Sequence, residues 1–139
     1  MSDKYKIREI DKAYFVTITV VDWADVFTRK NHKLLLIDSL AHCQQNKGLV
    51  IFGYCLMPSH LHMIAKAEGQ YTLSDILRDF KKYTSKAIVK QIEEESESRR
   101  EWMLDLFAKA GVIIQYKDTY ISPDNIWRDE RVTMKYRIL

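Results

Sequence analysis

An α+β fold, an antiparallel sheet with helices packed on one face in a ferredoxin-like sandwich, is predicted for this 139-residue chain by three features of its sequence. Apolar periodicity changes along the chain in an order that reads β, α, β, β, α. The two middle strand-like runs are separated only by Pro58-Ser59, and so short a connection most simply joins antiparallel neighbours. No GxGxxG, P-loop or GxSxG occurs, which disfavours the parallel folds of dinucleotide oxidoreductases, P-loop NTPases and nucleophile-elbow hydrolases.

Ala13 to Val21 alternates, with Tyr14, Val16, Ile18 and Val20 on one face and Phe15, Thr17 and Thr19 on the other, in β-branched and aromatic residues that favour a strand. From His32 to Lys47, Leu34, Ile37, Leu40 or Ala41, and Gln44 recur at helical spacing, and Gly48 supplies a stop. Leu49 to Met57 is an unbroken apolar run, read as a strand buried on both faces with Gly53 as a bulge. His60 to Ala67 resumes a period of two. Thr72 and Asp75 form a capping box for a helix with Leu73, Ile76, Leu77, Phe80, Tyr83, Ala87 and Ile88 on its apolar side. Arg78, Lys81, Lys82, Lys86 and Lys90 make the other side basic, which fits a solvated face or a phosphate-contacting one. A second capping box, Ser98 and Glu101, opens a short helix that stops at Gly111, and Pro123 starts a last helix through Trp127, Val132 and Tyr136.

Composition sets outer limits. With 47% apolar and 29% charged residues the chain lies within globular averages, and at this length it forms one domain, residues 1–139, that buries roughly 68% of its unfolded surface. No apolar run approaches the roughly 20 residues of a membrane helix, and the N-terminal MSDKYKIREIDK is too charged for a signal peptide, so a cytoplasmic location without membrane contact is expected. Cys43 and Cys55 lack CxxC spacing and read as core thiols. Residues 1–90 carry 14 basic against 9 acidic side chains, and residues 91–139 carry 8 against 10, so the first part is the one suited to a polyanionic partner.

Chemistry concentrates in Pro58-Ser59-His60-Leu61-His62-Met63-Ile64. In a strand, His60 and His62 project from one face roughly 7 Å apart, while Leu61 and Met63 enter the core behind them. Two imidazoles so placed can share a divalent ion that polarises a phosphoryl oxygen; the motif on its own equally fits a pair of surface histidines. Other candidates are weaker. His32 and His42 read as structural or solvated, Tyr83 as core or interface, and Trp127 as core rather than a base-stacking surface. Tyr120 with Asp124 is a second nucleophile and ligand pair, against which Pro123 argues. Tyr14, Tyr54, Tyr71 and Tyr116 read as packing residues.

In context the motif gains meaning. The strand Leu-Val-Ile-Phe-Gly-Tyr-Cys-Leu-Met, the Pro-Ser-His-Leu-His-Met-Ile that follows, and a helix with Leu73-Ser74-Asp75-Ile76 and Phe80-Lys81-Lys82-Tyr83-Thr84-Ser85 resemble the HUH single-tyrosine transposases of bacterial insertion sequences, above all their REP-associated branch. The Tyr14-Phe15-Val16-Thr17 strand and the Ser98 to Leu104 stretch extend the resemblance along most of the chain. It implies a dimeric α+β domain that binds hairpin or single-stranded DNA, with His60 and His62 as ligands of Mg2+ or Mn2+. It further implies a tyrosine that attacks the scissile phosphate to leave a 5′-phosphotyrosine and a free 3′-hydroxyl. Setting Ile126-Trp127 against the family's Leu-Trp makes Tyr136 that tyrosine. The Ile-His-x-Asn-Pro that follows it in the REP-associated branch is missing, and only Arg137-Ile138-Leu139 come after, so a C-terminally shortened copy is expected. The alternatives are a DNA-binding remnant without catalysis and a metal-dependent phosphoesterase.

Overall fold

The alternation of Ala13–Val20 forms the first strand (β1), with Tyr14, Val16, Ile18 and Val20 buried and Phe15, Thr17 and Thr19 half-buried on the other face. In the computed structural model, which describes residues 12–94, 99–115 and 127–136, two short 3-10 turns follow at Val21–Trp23 and Val26–Thr28. After them come α1 (Lys30–Asn46), β2 (Leu49–Leu56), β3 (His60–Ala67), α2 (Leu73–Glu94), α3 (Arg100–Gln115) and β4 (Trp127–Tyr136). The strands form one antiparallel sheet in the order β2-β3-β1-β4. With a helix between β1 and β2 and helices between β3 and β4, this is the split βαβ arrangement expected of a ferredoxin-like sandwich.

The helices cover one face of the sheet. Leu36, Leu40 and Cys43 of α1, Ile76, Leu77, Phe80 and Ile88 of α2, and Met103 and Phe107 of α3 share a core with the buried side of β1 and with Leu61, Met63 and Ala65 of β3. Trp127 lies in the same core, stacked on Phe27 with ring centroids 5.7 Å apart, and its indole N–H donates to Thr84 Oγ1 at 2.9 Å. Burying the largest aromatic with its polar atom satisfied is the favourable solution for a core tryptophan. The Thr72 and Asp75 capping box forms as expected: the Asp75 amide donates to Thr72 Oγ1 at 3.1 Å and the Thr72 amide to Asp75 Oδ2 at 3.4 Å. The second box depends on Ser98, which lies outside the described residues.

Six expectations are corrected. β2 is an edge strand on which Leu49 is buried but Phe52 and Tyr54 are exposed, and Cys55 is an exposed thiol rather than a core one; Cys43 is buried. An apolar run signals burial on both faces only where both faces are covered, and here the sheet ends. Gly53 does mark a bulge, with the β2–β3 register shifting between Ile51 and Gly53. The buried stripe of α1 is His32, Leu36, Ser39, Leu40 and Cys43, leaving Leu34 and Ile37 exposed. Tyr83 is 63% exposed, not core. The third helix runs through Gly111 to Gln115, since an interior glycine costs a helix about 1 kcal/mol and ends it only where a left-handed cap forms. Finally, Trp127 to Tyr136 is a strand, not a helix. Its Arg-Val-Thr-Met-Lys-Tyr sequence also has a period of two, and β1 offered a free edge for it to pair with.

Candidate active site

The turn between β2 and β3 is tied down at each residue. The Met57 amide donates to the His60 carbonyl at 2.8 Å, the Phe27 amide to Pro58 at 2.9 Å and the Val20 amide to Ser59 at 2.8 Å. Pro58-Ser59 is thereby held against the end of β1 and the turns that follow it, and β3 begins in a fixed register with Thr19 opposite His60 and Thr17 opposite His62.

Alternation along β3 then sorts the side chains. Leu61 and Met63 are buried beneath the helices, while His60 and His62 stand on the uncovered face with ring centroids 4.6 Å apart. Each imidazole has a hydroxyl at Nδ1: Ser59 Oγ lies 3.0 Å from Nδ1 of His60, and Thr17 Oγ1 lies 2.9 Å from Nδ1 of His62. The tautomer with its proton on Nδ1 donates to these hydroxyls and leaves both Nε2 lone pairs open, the second-sphere arrangement that orients metal-binding histidines. Burial and the neighbouring His60 hold the pKa of His62 below its ordinary 6.5. This favours the neutral, ligating form.

Aromatic rings flank the pair. Phe15 approaches His62 at 5.6 Å between centroids, and Trp23 meets His60 at 5.4 Å with the ring planes 76° apart. On β2, Cys55 sits opposite His62 in the register. Among the described residues no third His, Cys, Asp or Glu joins the histidines as a ligand set.

The predicted candidates are distributed as follows. His60 and His62 are brought together as expected. Tyr136 lies at the end of β4, where its backbone pairs with Ala13, four residues along β1 from the Thr17 that faces His62, an offset of about 13 Å. Tyr14 is buried, Tyr54 pairs with Met63, Tyr71 lies beside Lys47 and Tyr83 lies on α2, so none of these four stands on the histidine face. Tyr116, Tyr120 and Asp124 are outside the described residues. His32 is wholly buried with Nδ1 2.8 Å from Gln91 Oε1, a structural role, and His42 is exposed and solvated, the two alternatives read for them from the sequence. A cavity of about 830 Å³ between α1 and α2, lined by Leu34, Cys43, Phe80 and Tyr83, takes no residue from β3. Sequence reasoning missed Thr17, Ser59 and Trp23. Ser59 could have been flagged by its place in the histidine motif and Thr17 by its place on the polar side of β1, whereas Trp23 carried no periodic signal.

Among known proteins, no curated one matches the chain. Solved structures share its fold, two of which superpose as follows. A REP-associated tyrosine transposase bound to a REP hairpin superposes with a TM-score of 0.57 at 15% identity, covering 96% of this chain and 63% of that one. A candidate transposase of Deinococcus radiodurans R1 superposes with a TM-score of 0.50 at 15% identity, covering 81% of this chain and 95% of that one. This chain thus spans less than two thirds of the REP-associated protein, and identity this low is a likeness of fold. The sequence pattern of the IS200-like transposases matches residues 10–111, which hold β1, the histidine strand and most of α3. With most of its length, residues 10–111, covered by that match, the chain belongs to the IS200-like transposase family.

Proposed function

We propose that this chain cleaves and rejoins single-stranded DNA at hairpin-bearing ends, through a tyrosine nucleophile and a divalent ion held by His60 and His62. The observation that carries this reading is the pair of imidazoles on one sheet face, each with a hydroxyl at Nδ1. The donor set fits a divalent ion of borderline character: two imidazole nitrogens suit Mn2+ better than Mg2+, which prefers oxygen ligands, so phosphate and water oxygens would complete the shell. When bound, such an ion supplies Lewis-acid polarisation of the scissile phosphoryl group. The chain's own contribution is positional. β3 fixes the spacing of the two rings, Thr17 and Ser59 fix their rotation, and burial together with His60 favours the neutral form of His62.

The nucleophile assigned here is Tyr136. Its phenolic oxygen would give up its proton and bond to phosphorus as the bond to the 3′ oxygen breaks, and the departing oxygen would take up the proton so released to become the 3′-hydroxyl. The covalent 5′-phosphotyrosine keeps the energy of the broken bond, so a 3′-hydroxyl elsewhere can reverse the step without ATP. A homodimer belongs to the same proposal.

A second reading, DNA binding without chemistry, is favoured by α2. Arg78, Lys82, Lys86 and Lys90 are all exposed and follow one another at intervals of four, a cationic stripe suited to phosphates. One experiment separates the readings. Purified protein is incubated with labelled single-stranded hairpin DNA and Mn2+, then run on a denaturing gel beside Tyr136→Phe and His60→Ala. A covalent adduct absent from both variants supports strand cleavage by Tyr136. An adduct that survives Tyr136→Phe moves the nucleophile to another tyrosine. No adduct, with a native gel shift that weakens as salt rises, supports the binding reading, and no shift at all overturns both.

A further inference from the structure

Trp23 is placed in a way that packing does not explain. The chain leaves β1 at the buried Val20 and re-enters the core at the buried Ala24 and Val26, and Trp23 between them is 58% exposed. Asp22 and Trp23 both have left-handed backbones, with φ of 52° and 55°, and are the two non-glycine residues of positive φ among those described. Consecutive left-handed residues with side chains are energetically uphill and persist where the surroundings impose them, which is characteristic of functional sites. The surroundings here are explicit. The Val20 amide is bonded to Ser59, the Ala24 amide to Val21, the Val26 amide to Ala24 and the Phe27 amide to Pro58. These bonds lock the segment to the same turn that positions His60, and its indole rests at 5.4 Å from the His60 ring.

That contact leaves more than half of Trp23 open to solvent. Trp23, His60, His62 and Phe15 form a continuous row of rings with centroid separations of 5.4, 4.6 and 5.6 Å, and Trp23 is its exposed end. A large, rigid π-face beside the proposed ion-holding pair matches the way single-strand-binding proteins stack a base without reading its identity.

We infer that Trp23 is a stacking platform for a nucleobase, fixing the nucleotide adjacent to the phosphate that would be bound at His60 and His62 through their proposed ion. The inference rests on the proposed DNA-processing role and adds the residue that sets the register of the strand across the histidines. Stacking is tolerant of sequence, so a generic probe tests it.

The probe is a fluorescent DNA hairpin carrying a five-nucleotide single-stranded tail, together with five versions in which one tail base at a time is replaced by an abasic site. Binding to the full chain is followed by anisotropy. One abasic position weakens binding to the parent protein by about 5- to 150-fold, the range expected for a lost base–aromatic stack. Trp23→Ala weakens binding of the intact tail to the same degree and is insensitive to that abasic position. Trp23→Phe recovers most of the affinity and restores the sensitivity, an outcome that a merely structural role would not produce. If the parent protein binds the hairpin and both the abasic series and Trp23→Phe/Ala leave affinity unchanged, the stacking role is overturned while the DNA-processing reading stands. If the parent protein binds none of the probes, that reading falls and takes this one with it.

Discussion

A threonine hydroxyl on the neighbouring strand decides how His62 presents itself. Thr17 lies opposite His62 in the register and meets its Nδ1 at 2.9 Å. Thr17→Val keeps the branched shape and the strand preference while removing the hydroxyl, so the fold should hold and the ring should lose its orientation. Mn2+ affinity measured by calorimetry is expected to fall about 10- to 100-fold, the usual cost of losing such a second-sphere partner; unchanged affinity would mean that the sheet alone orients the ring. Trp23 yields a prediction of unusual sign. Glycine ordinarily destabilises relative to alanine, but at φ 55° the Cβ is the liability. Trp23→Gly should therefore be more stable than Trp23→Ala, by about 1 kcal/mol in urea titrations. The two histidines were readable from the motif because a strand's period of two is a property of the backbone. Their hydroxyl partners were not, since each pairing across strands depends on register.

Among the elements, the join between α1 and β2 is the least forgiving. Gly48 has φ +77°, and a Cβ built there would lie 1.7 Å from the Glu68 carbonyl oxygen, in backbone that cannot step aside because the Glu68 amide donates to Gly48. Gly48→Ala combines left-handed strain with a clash and is expected to cost about 2–5 kcal/mol in chemical denaturation. The glycine stop was legible; the close approach of the far end of β3 was not. Nearby, Lys47 Nζ lies 3.0 Å from Asp79 Oδ2 and ties the end of α1 to α2. The hydrogen bond from Lys47 holds the Asp79 carboxyl below its ordinary 3.8. Because the folded-state pKa is the lower one, the resulting stability is present above about pH 3.8 and disappears as pH falls through the folded-state value. Asp79→Asn should thus melt below the parent at pH 6, by an amount worth about 0.3–1 kcal/mol for a partly exposed pair. The difference should narrow in melts taken at pH 3 and below. Capping residues announced α2 correctly, because Thr72 and Asp75 act within one turn, whereas the exposed Tyr83 sits among apolar neighbours and is told from core only by what α1 leaves uncovered.

For the molecule as a whole, the sheet separates a sealed side from an open one. Leu61 is fully buried between the two histidines, so Leu61→Asp would bury an unpaired carboxylate in the core while leaving the histidine face untouched. Loss of the cooperative thermal transition is expected; retention of a native-like melt would mean that the helical layer is loosely packed. The period-two and period-3.6 patterns, the caps and the Pro58-Ser59 break are local, set by neighbours within a few residues, and from them the α+β layout and the paired histidines follow directly. Burial at the sheet margin, the conversion of the last segment into β4 and the placement of Trp23 are not local. Each depends on which edges and faces remain free once the chain has folded: Phe52 to Cys55 are exposed because β2 is an edge strand, and Trp127 to Tyr136 is a strand because β1 had an unpaired edge. Short-range preference is too weak to oppose the satisfaction of a whole row of backbone hydrogen bonds, which is why the same residues that read as a helix complete the sheet.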